Sequence, residues 1–177
     1  MYINLSEWYK SSDLYKTHWL NIFTNYYSLK SISPNVKWLE YSNDNDKFKD
    51  SILIHNNKGV FNPVIANILS KNNCMFITCN INEYNNSPYK NMVSSYYICE
   101  DLFELFTAIN TCKFFIGSQS SPLAIAYALG KRCLGELIGD DMFHYAGMEK
   151  YNEDFFWVSN NNILSGNINT LNKYLVI

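Results

Sequence analysis

The sequence has no clustered excess of basic residues, no CxxC pair and no regular histidine spacing. Lysine and arginine total 14 against 16 aspartate and glutamate residues, which gives a formal net charge of -2. Because a protein that binds nucleic acid needs clustered lysine and arginine to neutralise phosphates, we expect no nucleic-acid interface. The three histidines lie far apart and the five cysteines are dispersed, so a structural zinc site is not expected either.

Long apolar runs are also missing. No segment near the N-terminus is apolar enough for a signal peptide, and none in the chain suits a membrane span. Four of the cysteines lie in or beside apolar strand-like runs, where a free thiol packs as a small hydrophobic side chain. We therefore expect a soluble cytoplasmic protein. Glycine (7 residues) and proline (4 residues) are scarce beside abundant asparagine, lysine and isoleucine, which indicates an AT-rich viral or low-GC microbial coding sequence.

Apolar strand-like and helix-like segments alternate from residue 51 onward. Before them, helical spacing of apolar residues predicts an N-terminal helical segment, 1–35, and residues 43–50 form a polar linker. The alternation predicts an α/β fold for 36–177, a Rossmann-like, mainly parallel sheet with helices on both faces. The predicted strands are 51–55, 74–79, 95–99, 113–116, 132–137 and 155–158, and the predicted helices are 62–70, 101–110, 121–129 and 168–174.

The most informative segment is the strand-turn-helix unit between residues 114 and 129. A buried strand, 114–116, is followed by Gly117, the polar cluster 118–121 and Pro122. Glycine permits a sharp turn, a serine can cap the helix, and proline suits a first helical position. Free amides at such a helix N-terminus bind phosphate in many proteins, although ordinary helix capping explains the serines equally well.

A carboxylate is expected at the same edge of the sheet. The predicted strand 132–137 carries Glu136 near its carboxyl end, and in a parallel sheet that end lies beside the polar cluster 118–121. A carboxylate next to a phosphate site suits a ribose diol. The alternative is a strand-end carboxylate that faces water.

The run from Phe114 to Gly130 resembles the nucleotide-sugar segment of GT-B glycosyltransferases, particularly the heptosyltransferase-like group. Weaker matches upstream are Trp38-Leu39-Glu40, the pair Glu83-Tyr84 and the helix 101–110, so the similarity covers about 36–140. The resemblance implies one half of a GT-B fold, the C-terminal nucleotide-sugar-binding domain. In two-domain members a complete N-terminal domain supplies the acceptor pocket and usually the catalytic base. We therefore expect transfer to need a separate N-terminal-half protein or a homodimer.

Carried onto this sequence, the resemblance implies that the polar cluster cradles the diphosphate, Lys58 supplies charge and Glu136 holds the ribose. Stabilisation of the leaving group would then be electrostatic, with no metal and no cofactor beyond the donor sugar nucleotide. For Lys58 the alternative is a solvated loop lysine. The candidate substrate-binding residues are Gly117, Ser118, Gln119, Ser120, Ser121, Glu136 and Lys58.

Candidates for an acid or base lie elsewhere. Asp140, Asp141 and His144 fall in a long irregular segment and form either an acid/base cluster or a solvated loop. His55, at the end of a strand, is either a base or a structural residue. The expected function is a metal-independent glycosyltransferase-like domain. The alternatives are a non-catalytic Rossmann-like binding or assembly module and a binder of another phosphate ligand, although the sequence has no GxGxxG.

Overall fold

The computed structural model describes residues 39, 46–57, 60–136, 155–158, 163–165 and 171–176. The strands are β1 (Ile52–His55), β2 (Cys74–Thr78), β3 (Ser95–Ile98), β4 (Phe114–Ser118), β5 (Cys133–Glu136), β6 (Phe155–Val158) and β7 (Ile163–Ser165). The helices are α1 (Pro63–Lys71), α2 (Ile81–Asn86), α3 (Leu102–Thr111) and α4 (Ser121–Ala128), preceded by a 3-10 helix at Asp46–Phe48.

All of these strands belong to one sheet, in the order β3-β2-β1-β4-β5-β6-β7. Strands β1 to β6 run parallel, and β7 is antiparallel to β6. The order of the first six strands is that of the Rossmann fold, in which the winding reverses between the first and fourth strands. The predicted Rossmann-like, mainly parallel sheet is therefore confirmed, and its topological switch point lies between β1 and β4.

Helices cover both faces of the sheet, as predicted. Because successive strand residues point to opposite faces, the two neighbours Phe114 and Phe115 enter different buried clusters. Leu105 of α3 and Leu123 of α4 share a cluster with Leu53 and Phe115. The cluster on the other face contains, from α1, Ile65, Ile68 and Leu69 and, from the strands, Ile54, Phe76, Phe114 and Ile116.

Local sequence signals explain where α4 ends. Gly130 has a φ of 65°, in the left-handed region that glycine adopts readily. Its amide donates to the Tyr127 carbonyl at 2.9 Å, and the Lys131 amide donates to the Ala126 carbonyl at 2.9 Å. This pair of bonds is the Schellman arrangement. Gly130 therefore closes the helix, directly after the predicted helix 121–129.

Some elements differ from the prediction. Helix α2 was not predicted because its residues are mainly polar and none is buried, so no apolar periodicity marks it. Strand β7 was not predicted either. Of the predicted helix 168–174, the described part is a hydrogen-bonded turn beginning at Leu171, and the predicted segment 1–35 lies outside the described residues.

Candidate functional site

Polar residues from three strands meet at the carboxyl edge of the sheet. In the register of β1 with β4, His55 is paired with Gly117, and in the register of β4 with β5, Ser118 is paired with Glu136. The polar cluster 118–121 follows at the start of α4. The predicted common edge for this cluster and Glu136 is therefore confirmed, and it lies at the switch point.

The serine turn is held against the residues that follow β1. Ser118 is buried, and its hydroxyl donates to Asn57 Oδ1 at 3.2 Å, while the Asn57 amide donates to Ser118 Oγ at 3.4 Å. Ser120 donates through its hydroxyl to the Ser118 carbonyl at 3.0 Å. Gln119 is half-buried between them. The segment after β1 and the turn after β4 therefore form one hydrogen-bonded unit.

Helix α4 starts in a different way from the other helices at this edge. Asn62, Asn80 and Asp101 cap α1, α2 and α3 through their side chains. Ser120 occupies the N-cap position of α4 with extended backbone, but its side chain makes no capping hydrogen bond. The predicted serine cap is therefore wrong, because the Ser120 hydroxyl is directed to a carbonyl instead. The Ser120 side chain therefore leaves the first amides of α4 uncapped by the N-cap residue.

Gly117 has a different role from the one predicted. It lies within β4 and has no positive φ, so it is not needed for a sharp turn. A Cβ built on Gly117 would lie 2.7 Å from Phe115 Cε1 and 3.3 Å from Leu123 Cβ. Because protein interiors are close-packed, glycine here allows α4 to approach β4 closely. The prediction of a turn glycine is corrected accordingly.

His55 connects the serine turn to a carboxylate. The imidazole is 3% exposed, and its Nδ1 lies 3.5 Å from Ser120 Oγ. Its Nε2 lies 3.3 Å from Oε2 of Glu83, which also accepts a hydrogen bond from Thr78. Burial lowers the pKa of His55, and the charge and hydrogen bond of Glu83 partly offset this. A neutral imidazole that donates to Glu83 from Nε2 has an unprotonated Nδ1, which is an alternative acceptor to the Ser118 carbonyl for the one Ser120 hydroxyl proton.

Glu136 is buried rather than solvated. Its carboxylate is 2% exposed, so the alternative of a carboxylate facing water is wrong. Oε2 accepts from Asn56 Nδ2 at 2.7 Å, and Oε1 accepts from the Tyr89 hydroxyl at 2.8 Å. Burial raises the pKa of Glu136, and the two hydrogen bonds oppose that shift. The predicted ribose contact stays a prediction.

Tyr89 is a site residue that sequence reasoning missed. It lies in a turn after α2, where the sequence has no strand or helix periodicity. Its hydroxyl meets Glu136 across 47 positions of the chain. Burial raises the pKa of Tyr89, and the neighbouring Glu136 charge raises it further. The phenol therefore stays protonated and donates to the carboxylate.

Several candidates lie outside the described residues, namely Lys58, Asp140, Asp141 and His144. The sequence also contains an Asp-x-Asp pattern, Asp44-Asn45-Asp46, in the segment that we had interpreted as a polar linker. Within the described ranges, no group of three or more histidine, cysteine, aspartate or glutamate side chains is arranged to hold a metal ion.

The same part of the chain contains no helix with the length and apolar character needed to cross a bilayer.

Comparison with models of known protein families and with curated protein sequences finds no match for this chain. A similar solved structure is the crystal structure of the glycosyl transferase family 9 protein from Veillonella parvula, with a TM-score of 0.55 and 11% sequence identity. The alignment covers 81% of this chain and 49% of the Veillonella chain. At this identity the likeness shows the fold alone. The chain therefore has a glycosyltransferase-like α/β fold and spans about half the length of the Veillonella protein.

Proposed function

We propose that this chain is a glycosyltransferase-like domain that binds a nucleotide-diphosphate sugar at the turn Ser118 to Ser121. The observation that carries the proposal is that α4 begins at the switch point and that the side chain of its N-cap residue, Ser120, makes no capping hydrogen bond. In open α/β sheets, ligands bind beyond the carboxyl ends of the strands at this point. The amides and the positive dipole end of a helix attract phosphate. The fold shared with a glycosyl transferase family 9 structure is compatible with this proposal.

Each polar group at this edge has a role in the proposal. The amides at the start of α4 bind the diphosphate, and Lys58 adds positive charge. The Ser120 hydroxyl also binds it, by turning its one proton from the Ser118 carbonyl to a phosphate oxygen. Oriented donors of this kind stabilise the negative charge that develops on a departing nucleoside diphosphate. His55 lies beside the hydroxyl, with Nδ1 at 3.5 Å from Ser120 Oγ. No step in this scheme needs a metal ion.

The acceptor side of the reaction is proposed to come from elsewhere. The chain aligns with 49% of the Veillonella structure, so about half of that protein has no counterpart among the aligned residues. Glycosyl transfer needs the donor and acceptor held against each other and water excluded. A separate N-terminal-half protein or a second copy of this chain would complete the site.

The proposal is tested by ligand binding. The purified chain is titrated calorimetrically with nucleoside monophosphates, nucleoside diphosphates and their sugar conjugates, and its melting temperature is measured with each ligand. We expect the diphosphates and their conjugates to bind and to raise the melting temperature. At 100 times the dissociation constant, a ligand specific for the folded state adds about 2.7 kcal/mol of stability. If monophosphates bind equally well and no diphosphate is preferred, the diphosphate site is refuted.

A second candidate is a non-catalytic binding or assembly module with the same fold. This candidate is favoured because Glu136 and His55 are both buried and already hydrogen-bonded to neighbouring side chains. The same titrations separate the two candidates. Selective binding of one sugar conjugate over its parent diphosphate supports the donor domain, whereas no binding of any nucleotide supports the assembly module.

A further inference from the structure

The Glu136 carboxylate is the centre of a buried hydrogen-bond network. Its two oxygens accept from Asn56 Nδ2 at 2.7 Å and from the Tyr89 hydroxyl at 2.8 Å. Asn56 is 1% exposed and Tyr89 is fully buried. Burying a carboxylate is costly unless hydrogen bonds compensate, and here each oxygen has a donor. A ribose could reach the remaining lone pairs of Glu136 only if the residues that bury it moved, because Glu136 is 2% exposed.

The network reaches the start of α1 through Tyr89. The Tyr89 hydroxyl accepts a hydrogen bond from the Asn62 amide at 2.8 Å. Asn62 caps α1 by accepting from the Val64 and Ile65 amides at 2.9 Å and 3.3 Å. One buried carboxylate is therefore connected to Asn56, which directly follows β1, and to Asn62, which directly precedes α1.

Asn56 is also next in sequence to the residue that contacts the serine turn. Asn57 exchanges two hydrogen bonds with Ser118, through its amide and its side-chain oxygen. A group that fixes Asn56 therefore restrains Asn57 relative to Ser118. Binding sites gain affinity when supporting groups hold the contacting residues in place before the ligand arrives.

We propose that Glu136 is a positioning residue, which holds the β1–α1 segment at Asn56 and Asn62 and so sets its place against the Ser118 turn. This inference rests on the proposed diphosphate site and replaces the ribose contact for Glu136. It predicts that Glu136 affects binding of the phosphate groups whether or not a ribose is attached. Inorganic pyrophosphate, which has no ribose, is therefore the discriminating probe.

The experiment compares wild type, Glu136→Gln, Tyr89→Phe and a control by calorimetric titration with pyrophosphate and with a nucleoside diphosphate. The control is Tyr97→Phe, because Tyr97 also accepts a hydrogen bond, from Lys47, and donates to a carboxylate, Glu104, at 2.6 Å. Tyr97 lies on β3, two strands away from β1. We expect Glu136→Gln to weaken both ligands by the same factor, roughly fivefold to tenfold, which corresponds to one hydrogen bond.

The other variants follow from the same reasoning. Tyr89→Phe should also weaken both ligands, and Tyr97→Phe should weaken neither. If Glu136→Gln weakens only the nucleoside diphosphate, the ribose contact is correct and the positioning role is overturned. If wild type binds but neither Glu136→Gln nor Tyr89→Phe alters pyrophosphate affinity, the inference fails while the proposed function stands. If wild type binds neither ligand, both fail.

A compensating variant separates positioning from loss of folding. In Glu136→Gln, the side-chain NH2 group of Gln can face the NH2 group of Asn56, so that two donors oppose each other. Adding Asn56→Asp places an acceptor opposite the Gln NH2 group. The double variant has the same net charge as wild type. We expect the double variant to recover most of the pyrophosphate affinity that Glu136→Gln loses. Melting temperatures are measured in parallel, because a purely structural role would alter the melting temperature without altering the affinity of the folded protein. A double variant that binds no better than Glu136→Gln overturns the inference.

Discussion

Ser118 and Glu136 are paired in the register of adjacent strands, yet their side chains contact two successive residues after β1. Ser118 donates to Asn57, and Glu136 accepts from Asn56. The carboxyl edge of the sheet therefore has two parts. One is the serine turn beside α4, and the other is the buried hydrogen-bond network of Glu136 with the residues between β1 and α1. The first is the proposed phosphate site, and the second is the proposed support for Asn56 and Asn62.

Replacement of Ser120 tests the serine turn. Its hydroxyl donates to the Ser118 carbonyl and lies beside His55. In the proposed site that proton turns to the phosphate, so Ser120→Ala removes a donor there. We expect nucleoside diphosphate binding to weaken by about 1 kcal/mol, or roughly fivefold, as measured by calorimetry. Ser70→Ala is the control, because Ser70 also donates to a backbone carbonyl, at 2.8 Å, but lies near the C-terminal end of α1. Equal losses in both variants would contradict the assignment.

Gly117→Ala should destabilise the fold. The added methyl group would lie 2.7 Å from Phe115 Cε1 and 3.3 Å from Leu123 Cβ. Overpacking of this kind costs about 1–3 kcal/mol, which chemical denaturation can measure. Ala124→Ser on the exposed side of α4 is the control and should change the unfolding free energy little. Adding Phe115→Leu to Gly117→Ala should recover part of the loss, and a purely additive double variant would contradict the proposed clash.

The alternation of apolar runs was sufficient to predict β1 to β6 and the helices α1, α3 and α4. Each of these strands and helices is marked by a local pattern, such as the spacing of Ile65, Ile68 and Leu69 on α1. Helix α2 carries no such pattern, because it presents no buried residue to the core. Its polar sequence is equally compatible with a turn.

The site was only partly predictable for a different reason. The shared edge of Ser120 and Glu136 follows from parallel topology, which the alternation of strands and helices implies. The donors to Glu136 come from Asn56 and Tyr89, at separations of 80 and 47 residues, and no local pattern encodes such pairings. The need for glycine at position 117 also depends on tertiary packing. Only the packing of α4 against β4 shows that there is no room for a side chain there.

His55 should make stability depend on pH. Burial lowers its pKa below the ordinary value of 6.5, so the unfolded chain takes up the proton first as the pH falls. The stability from neutral His55 is therefore present above pH 6.5 and is lost as the pH falls towards the lowered pKa. Urea denaturation between about pH 8 and about pH 5 should show a larger loss for wild type than for His55→Gln. Identical pH profiles would contradict a lowered pKa.

Binding of the nucleoside diphosphate should not depend on a metal ion. The proposed site relies on amides, a helix dipole and Lys58, so EDTA should leave the calorimetric dissociation constant unchanged. The Asp-x-Asp pattern provides an internal control, because replacing both Asp44 and Asp46 by asparagine should also leave binding unchanged. A strict requirement for Mg²⁺ or Mn²⁺, lost in that double variant, would show that the pattern holds a metal-bound donor.

The 177-residue chain should bind the donor but transfer its sugar slowly or not at all. Rapid transfer needs an aligned acceptor and the exclusion of water, and the alignment with the Veillonella structure spans 49% of that chain. Release of nucleoside diphosphate from the sugar conjugate, followed with and without candidate acceptors, measures the rate. Turnover at roughly 1 to 1000 per second by this chain alone would contradict the need for a second domain or partner. In that case Asp140, Asp141 and His144 would be the first residues to replace, because an acid/base cluster within the chain would then be required.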